Sequence, residues 1–478
     1  MKRLFKSKLK NVIFASKKSR YVSLGVLSSL VTMTFFRGCA TPDSKAKHPN
    51  IVFIMMDDLG YGDVGCYGNS YNQTPNIDRL AANGLKFTDF HSNGSVCSPT
   101  RAAFMTGMYQ NRLGTDFESV LGGIKQHDMG MPLEVVTIAE MLKGAGYTTG
   151  MYGKWHLGFL PPFMPSNQGF DDFRGLGSGE GDHFTHVDRS GRADWWHNDT
   201  LTFEDGYSAD LITNHSVQFI REHKDVPFSL YIAHQAIHFP WQGPDDSPYR
   251  KEGTSYEDNK WGIIPDKNDV RPHVKAMIEF VDRGIGEIIQ TIKDLNLEKN
   301  TLVFFTSDNG GYINYANELH NISSNGPLRG QKGEIYEGGH RVPGIAYWPG
   351  KIKAGTKTDE TVLTMDMYPT FASLAGAKID GTNPVDGVNI LPLLLHSQRL
   401  QHRIVFWKKG NDRAIRNGPW KLIVRGENGP ELYNLQEDIG EKNDLSKIHP
   451  ELVSEMAEKF DVWHTDITEY ASRWGQMH

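Results

Sequence analysis

The sequence predicts an α/β protein: a large mixed, mostly parallel sheet between helices, followed by a smaller C-terminal antiparallel sheet with a packing helix. Two observations predict the first part. Apolar runs of strand length alternate with segments of helical periodicity, and the runs end in clusters of Asp, Asn, Lys or His. A third predicts the second part, because from Ile404 onward the runs become short and alternating, with Asn-Gly-Pro turns among the breaks. In an open α/β sheet the loops at the carboxyl ends of parallel strands converge on one crevice, so the polar clusters there are where chemistry is expected.

Asn50–Met56 is a continuous apolar run ending in Asp57-Asp58-Leu59-Gly60, and it reads as a buried central strand. Glu134–Leu142 reads as a helix, Gly144-Ala145-Gly146 as its stop, and Tyr147–Tyr152 as a strand ending in Gly153-Lys154-Trp155-His156. Phe228–Ala233 is a further strand, leading through His234 to His238. Val274–Leu295 carries Met277, Ile278, Val281, Ile285, Ile288, Ile289 and Ile292 at helical spacing. Thr301–Thr306 ends in Ser307-Asp308-Asn309-Gly310-Gly311. After the Gly/Pro-rich Gly376–Gly387, the segments Ile404–Lys408, Arg413–Arg416, Trp420–Val424 and Glu431–Asn434 read as antiparallel strands, and Pro450–Phe460 as an amphipathic helix. The expected divisions are an export segment (1–39), a linker (40–48), a main domain (49–376) and a C-terminal subdomain (377–478).

A chain of 478 residues, 23% charged and 11% aromatic, buries a substantial core, which excludes disorder, collagen and coiled coil. Its formal charge of −6 conceals an asymmetry: the first 39 residues hold nine Lys or Arg and no acid, leaving 42 basic against 57 acidic groups. A body of such acidity does not attract nucleic acid by general electrostatics, so an anionic substrate requires a local basic pocket. The basic opening leads into Tyr21–Phe36, an apolar stretch long for a signal-peptide core and short for a membrane span, which points to export. Cys39, preceded by Arg37-Gly38, resembles a bacterial lipoprotein cleavage site, although Arg37 stands where a small residue is usual. Lipidation with membrane anchoring, plain cleavage and an uncleaved anchor all remain open; each exports the body of the chain, to the periplasm or the outer-membrane or cell surface. Of the remaining cysteines, either Cys66 pairs with Cys97, or Cys97 serves the chemistry and Cys66 is an isolated small hydrophobe.

Pro99, two residues after Cys97 and followed by helix formers, places Cys97 just before a helix N-terminus, where free N–H groups and the dipole favour a developing anion. Arg101, one turn in, is placed to hold an oxyanion or to structure the loop. Asp57, Asp58, Asp308 and Asn309 offer only oxygen ligands, which suits a hard ion such as calcium; magnesium demands stricter octahedral geometry. Taken singly, Asp57-Asp58 reads as a turn or cap and Asp308-Asn309-Gly310 as an ordinary turn.

The segment Cys97-Ser98-Pro99-Thr100-Arg101, followed by Thr106-Gly107, resembles the signature of the type I, formylglycine-dependent sulfatases of the alkaline-phosphatase-like superfamily. Thr100 takes the place of the commoner Ser. Asp57-Asp58, Gly153–Gly158, Asp308–Gly311 and Lys332–Pro343 match further family motifs in the family's order, and the resemblance runs from about Pro49 to the C-terminal helix. It implies an alkaline-phosphatase-like sandwich and a sulfuric ester hydrolase, of the bacterial polysaccharide kind. It also implies that a formylglycine-generating or anaerobic maturation enzyme converts Cys97 to formylglycine before folding. By the same resemblance Asp57, Asp58, Asp308 and Asn309, with the modified Cys97, hold one calcium ion, and Lys154 and Lys332 grip sulfate oxygens. His156 is similar to the base that deprotonates the aldehyde hydrate, and His238 to the acid that protonates the leaving oxygen. His234 is read as supporting or structural, and Glu337 and Arg341 as a structural charge pair.

Substrate choice is expected from the polar loop Gly175–Asp199, where Trp195 or Trp196 would stack on a sugar face and Arg192 would read an adjacent anionic residue. The competing reading packs these tryptophans against the sheet. His320 and Asn321–Arg329 are further candidates for the pocket wall. An exported sulfatase points to a sulfated carbohydrate substrate, a carrageenan-like galactan or a glycosaminoglycan. Two alternatives stand beside it: a phosphatase or phosphodiesterase of the same superfamily, which Cys97 opposes because those enzymes use Ser or Thr, and a non-catalytic sulfated-glycan binding protein.

Overall fold

The computed structural model describes residues 48–474 apart from 123–127, 257–268, 317 and 380. The expected export segment with Cys39, and the linker up to residue 47, lie outside the described residues.

Ten strands form the main sheet, in the order Thr356–Thr358, Leu85–Phe87, Gly344–Tyr347, Thr301–Ser307, Asn50–Met56, Phe228–Ala233, Thr148–Gly153, Asp172–Gly175, Trp196–His197, Thr200–Leu201. The five from Thr301–Ser307 to Asp172–Gly175 run parallel, whereas Gly344–Tyr347 and the Trp196–Leu201 hairpin add antiparallel pairings. Alternate residues of a strand face opposite sides, so a strand buried on both must be apolar throughout. Ile51, Phe53 and Met55 enter one core with Phe104, Leu142 and Phe371, from the helices Cys97–Thr106, Ile138–Gly144 and Met367–Ala375. Val52, Ile54 and Met56 enter the other with Ile77, Ile212 and Ile285, from Pro75–Ala82, Ser208–Glu222 and Arg271–Asp294.

Local chemistry sets the boundaries. The helix expected from Glu134 begins at Ile138, because Thr137 and Glu140 form a reciprocal cap: each side chain accepts from the other's backbone N–H, at 3.1 and 2.8 Å. Ser208–Glu222 is a helix that the apolar pattern hides, since Thr213 and Ser216 lie on its buried face with their hydroxyls donating to the carbonyls of Ala209 and Ile212.

The second sheet, Ile404–Lys409, Asp412–Asn417, Trp420–Val424 and Glu431–Asn434, is antiparallel in chain order. Helix Pro450–Ala471 packs Met456, Phe460, Trp463 and Ile467 into the same core as Val405, Trp407 and Ile423. It continues past the expected end at Phe460 because Trp463 and Ile467 prolong the buried stripe. A buried ionic cluster bolts this sheet to the segment after Lys332. Glu337 pairs with Arg341 at 3.0 Å and with Lys421 at 2.9 Å, and Lys421 pairs with Glu441 at 2.9 Å. Cys66 and Cys97 are both free thiols, so the alternative of a disulfide between them is not realised. Among the described residues no helix is long and apolar enough to cross a membrane.

Candidate active site

Parallel pairing aligns the carboxyl ends of four neighbouring strands, with Met56 opposite Ser307, Met55 opposite Ala233, and Ala233 opposite Gly153. Asp57-Asp58, Asp308-Asn309, Lys154–His156 and the segment leading to His238 therefore leave the sheet side by side. The Asp58 N–H donates to Asp308 Oδ1 at 3.2 Å, and Asn309 Nδ2 donates to Asp58 Oδ1 at 2.8 Å. Gly153 turns the chain toward Lys154 at φ +112°, where a Cβ would fall 1.9 Å from the Ala233 carbonyl oxygen; only glycine fits. Asp58 and His156 hold left-handed φ values of 64° and 62°, a strained conformation for residues with side chains.

Cys97 is the first residue of its helix, one position later than the sequence pattern suggests, with Val96 at the cap. Its Sγ lies 3.2 Å from Asp57 Oδ1, 4.0 Å from Asp58 Oδ1 and 3.3 Å from Lys332 Nζ. Thr100 Oγ1 accepts from the Gly94 N–H at 3.0 Å, so the hydroxyl of this position ties down the loop before the helix. Buried Arg101 donates through Nε and Nη2 to Asp308 Oδ2 at 3.0 and 2.8 Å, and through Nη1 to the Lys154 carbonyl at 2.7 Å. Its donors are thus committed to structuring the carboxylate cluster.

Each of the two leading carboxylates faces an ammonium group. Lys154 Nζ donates to Asp57 Oδ2 at 2.5 Å, and Lys332 Nζ lies 2.6 and 2.9 Å from the Asp58 oxygens. His156 Nε2 is 2.6 Å from the Leu121 carbonyl, and His238 Nδ1 is 2.8 Å from the Phe239 carbonyl. A carbonyl only accepts, so those nitrogens carry the protons and the lone pairs stand on His156 Nδ1 and His238 Nε2. His156 Nδ1 is buried with no partner, and His238 Nε2 lies 3.9 Å from Asp58 Oδ2.

Burial, reinforced by the Lys154 ammonium at His156 and the Lys332 ammonium at His238, holds both imidazoles well below their ordinary value and therefore neutral. Burial, followed by Asp308 and Asp57, pushes the Cys97 thiol well up, so an unmodified thiol here is protonated and a poor nucleophile. Burial and Asp57 raise Asp308 despite Arg101. Burial pulls the Lys332 ammonium down, but Asp58, Cys97, Tyr312 and Asp57 together outweigh it and the net shift is upward. The donor set fits a hard cation: Asp57, Asp58 and Asp308 are buried carboxylates, and Asn309 Oδ1 is a buried oxygen without a partner. Another buried group with metal-binding residue types, His91, Glu337 and His340, is already neutralised by Lys421 and Arg341.

A cavity of about 860 Å³ opens onto His156, His238 and Lys332. A separate cavity of about 480 Å³, beside Arg79 and Lys293, contains none of these groups.

A sulfatase family model matches residues 49–377, and the model for the C-terminal part of N-sulphoglucosamine sulphohydrolase matches residues 331–464. Human arylsulfatase A is 36% identical over 450 residues, which cover 84% of each chain. The chain belongs to the sulfatase family. Human N-acetylgalactosamine-6-sulfatase is 34% identical over 389 residues, 76% of this chain and 69% of that one. The solved structure of Ps i-CgsB superposes on this sulfatase with a TM-score of 0.76 at 32% identity, covering 87% of this chain and 93% of that one; the same protein has been solved with k-i-k-neocarrahexaose. The mostly parallel sheet with a small antiparallel sheet is the expected alkaline-phosphatase-like arrangement.

The Gly175–Asp199 loop of the sulfatase reaches the cavity through Ser178, Glu180, Arg189 and Arg192. Its two tryptophans do not line that cavity. Trp195 is buried, stacked on His186 at 4.3 Å, with Nε1 donating to Glu204 at 2.9 Å. Trp196 starts the strand that pairs with Gly175, and its Nε1 donates to Asp194 at 2.7 Å. Burial fixes Trp195, and edge pairing with the Asp194 hydrogen bond fixes the half-buried Trp196, so neither lines the cavity as a sugar-stacking face. His320 is exposed, bonded to Asn314 at 2.9 Å, and also lies outside the cavity lining. Phe159, Phe239, Tyr312 and Lys409 line the cavity without having stood out in the sequence. The adjacency of Phe239 to His238 was the one available signal.

Proposed function

We propose that this sulfatase hydrolyses sulfate esters of a polysaccharide or oligosaccharide, a carrageenan-like galactan or a glycosaminoglycan, with Cys97 converted to formylglycine and one calcium ion held by Asp57, Asp58, Asp308 and Asn309. The observation that carries the reading is the buried cluster of the Cys97 side chain and two Asp–Lys pairs, reached from a cavity lined by Lys332 and two neutral histidines, His156 and His238. The sugar class is supported by the oligosaccharide-bound Ps i-CgsB structure and by the similarity to N-acetylgalactosamine-6-sulfatases.

When present, the calcium ion supplies positive charge to a sulfate oxygen, and formylglycine supplies the hydroxyl that attacks sulfur. The chain's own residues do the rest. Lys154 and Lys332 neutralise sulfate oxygens as charge shifts onto them. Arg101 keeps Asp308 and the Lys154 backbone in place, and in this reading Asp308 accepts the proton of the attacking hydroxyl. His156 Nδ1, with its lone pair free because Nε2–H is fixed on Leu121, is the base of the later step. His238 Nε2 donates to the leaving oxygen, once the negative charge of a bound sulfate counters the depression imposed by burial and by Lys332 and Lys154.

Cys97 is fully buried in the fold, which supports oxidation of the unfolded chain by a maturation enzyme. The basic and apolar N-terminus supports export to the periplasm or cell surface, with anchoring through Cys39 as one outcome. The catalytic part is assigned to residues 49–376 and the small sheet to 377–478. Intact-mass measurement of the Cys97 peptide, alongside sulfate release from carrageenan and chondroitin oligosaccharides, tests the reading. A lighter, aldehyde-reactive peptide in active enzyme is expected; full activity with an intact thiol overturns it.

A further inference from the structure

We infer that Lys409, brought to the cavity by the C-terminal sheet, is a specificity residue that binds a second anionic group of the substrate, a sulfate or carboxylate on the same or the adjoining sugar. This rests on the sulfated-carbohydrate reading and adds to it a residue from outside the strand-end cluster.

Lys409 ends the strand Ile404–Lys409 and lines the same cavity as Lys332, His156 and His238. Its Nζ donates to the Gly333 carbonyl at 2.8 Å, one residue along the chain from Lys332. The other permanent cations of the cavity wall already have carboxylates: Lys332 has Asp58 at 2.6 Å, Arg189 has Glu180 at 2.7 Å, and Arg192 has Asp188 at 3.1 Å. Among the described residues, Lys409 has no carboxylate within 4 Å. Its strand neighbour Lys408 makes the contrast, since alternation sends it to the other face, where Glu118 meets it at 2.6 Å. Asp412, which pairs with Lys409 in the hairpin register, instead accepts the Gly426 N–H at 3.0 Å.

An ammonium group has three donors, and a single carbonyl satisfies one of them. Lys409 is half-buried, so leaving the charge without a counterion is costly, and an anion at the cavity wall removes that cost. Burial pulls the Lys409 ammonium below its ordinary value, with Asp412 and Glu334 opposing and Lys332 adding to the effect. A sulfated sugar held at Lys332 would therefore find the complementary charge for its next anionic substituent on the C-terminal sheet.

The test uses the full chain carrying Cys97→Ala, which binds without turnover, with and without Lys409→Met. Affinity is measured for three disaccharides: one with a single sulfate, one with two sulfates, and one with a sulfate and a uronate carboxylate. Lys409→Met should weaken one or both doubly anionic ligands about tenfold and the singly sulfated ligand less than twofold, as expected for one charge-assisted hydrogen bond. Which of the two loses more identifies the second anion. Lys409→Arg should retain the preference, and its melting temperature checks that the fold survives. Equal weakening of all three ligands overturns the proposal, because Lys409 would then act only by holding Gly333 and hence Lys332. No weakening, or no preference for the doubly anionic ligands in the parent, overturns it as well. Absence of sulfate release from every ester by the mature enzyme, in a parallel assay, would instead strike at the sulfatase chemistry.

Discussion

Replacing Lys421 by Met removes the cation that sits between Glu337 and Glu441, each 2.9 Å away, with all three side chains fully buried. Methionine preserves the stem, so packing against Trp407 is largely kept while the charge is lost. Glu337 retains Arg341 at 3.0 Å, but no other cation pairs with Glu441 among the described residues. Breaking a buried pair from one side typically costs about 3–5 kcal/mol, and that is the loss expected at about pH 8 in urea unfolding followed by tryptophan fluorescence. The loss should depend on pH in a definite direction. Burial pushes the Glu441 carboxyl up from its ordinary value of 4.5 to about 7, against Lys421. Between those values the folded protein holds the proton that the unfolded chain has released, so this group's stabilisation is present at lower pH and lost as pH rises through about 7. Removing Lys421 raises the folded value further and widens the window upward. The variant should therefore lie closest to the parent at about pH 5 and furthest from it at about pH 8. A deficit below about 1 kcal/mol at the higher pH, or one independent of pH, would refute the claim that this cluster bolts the small sheet to the segment after Lys332.

His238→Ala should cripple hydrolysis of a sugar sulfate by about 10²-fold or more, while hydrolysis of 4-nitrophenyl sulfate, whose leaving group needs little protonation, should suffer far less; equal losses point to binding or structure. Asp308→Ala should remove metal and activity together, as read by elemental analysis of the purified protein, and metal retained at full occupancy would move the site elsewhere. Arg192→Ala should change the ranking of sulfated oligosaccharides without altering aryl sulfate turnover, because Arg192 lies on the cavity wall. Trp195→Phe should lower the melting temperature through the lost Glu204 hydrogen bond and leave that ranking intact.

Much of the site was legible in the chain because its geometry follows from a rule about sheets. Once Asn50–Met56, Tyr147–Tyr152, Phe228–Ala233 and Thr301–Thr306 are read as parallel strands, the residues following each must gather at one edge, as the observed pairing has them. Asp57, Asp58, Lys154, His156, His238, Asp308 and Asn309 are local continuations of those strands, and Cys97 carries its own helix signal in Pro99. Lys332 was legible only through its motif, since no strand delivers it.

The tertiary structure decided what surrounds this cluster. Trp195 and Trp196 have the composition of a sugar platform, but a hairpin pairing to the sheet edge buries one and ties both indole N–H groups to carboxylates. Arg101 was compatible with an oxyanion or with a scaffold until Asp308 and the Lys154 carbonyl took up its donors. Lys409 falls one residue beyond the strand expected from the sequence, which ends at Lys408. Strand alternation separates it from Lys408, and docking of the small sheet through Glu337, Lys421 and Glu441 brings it beside Gly333. Contacts of this kind join segments tens to hundreds of residues apart, and their partners are chosen by packing and charge compensation between separately formed layers, for which no periodicity within either segment carries a signal.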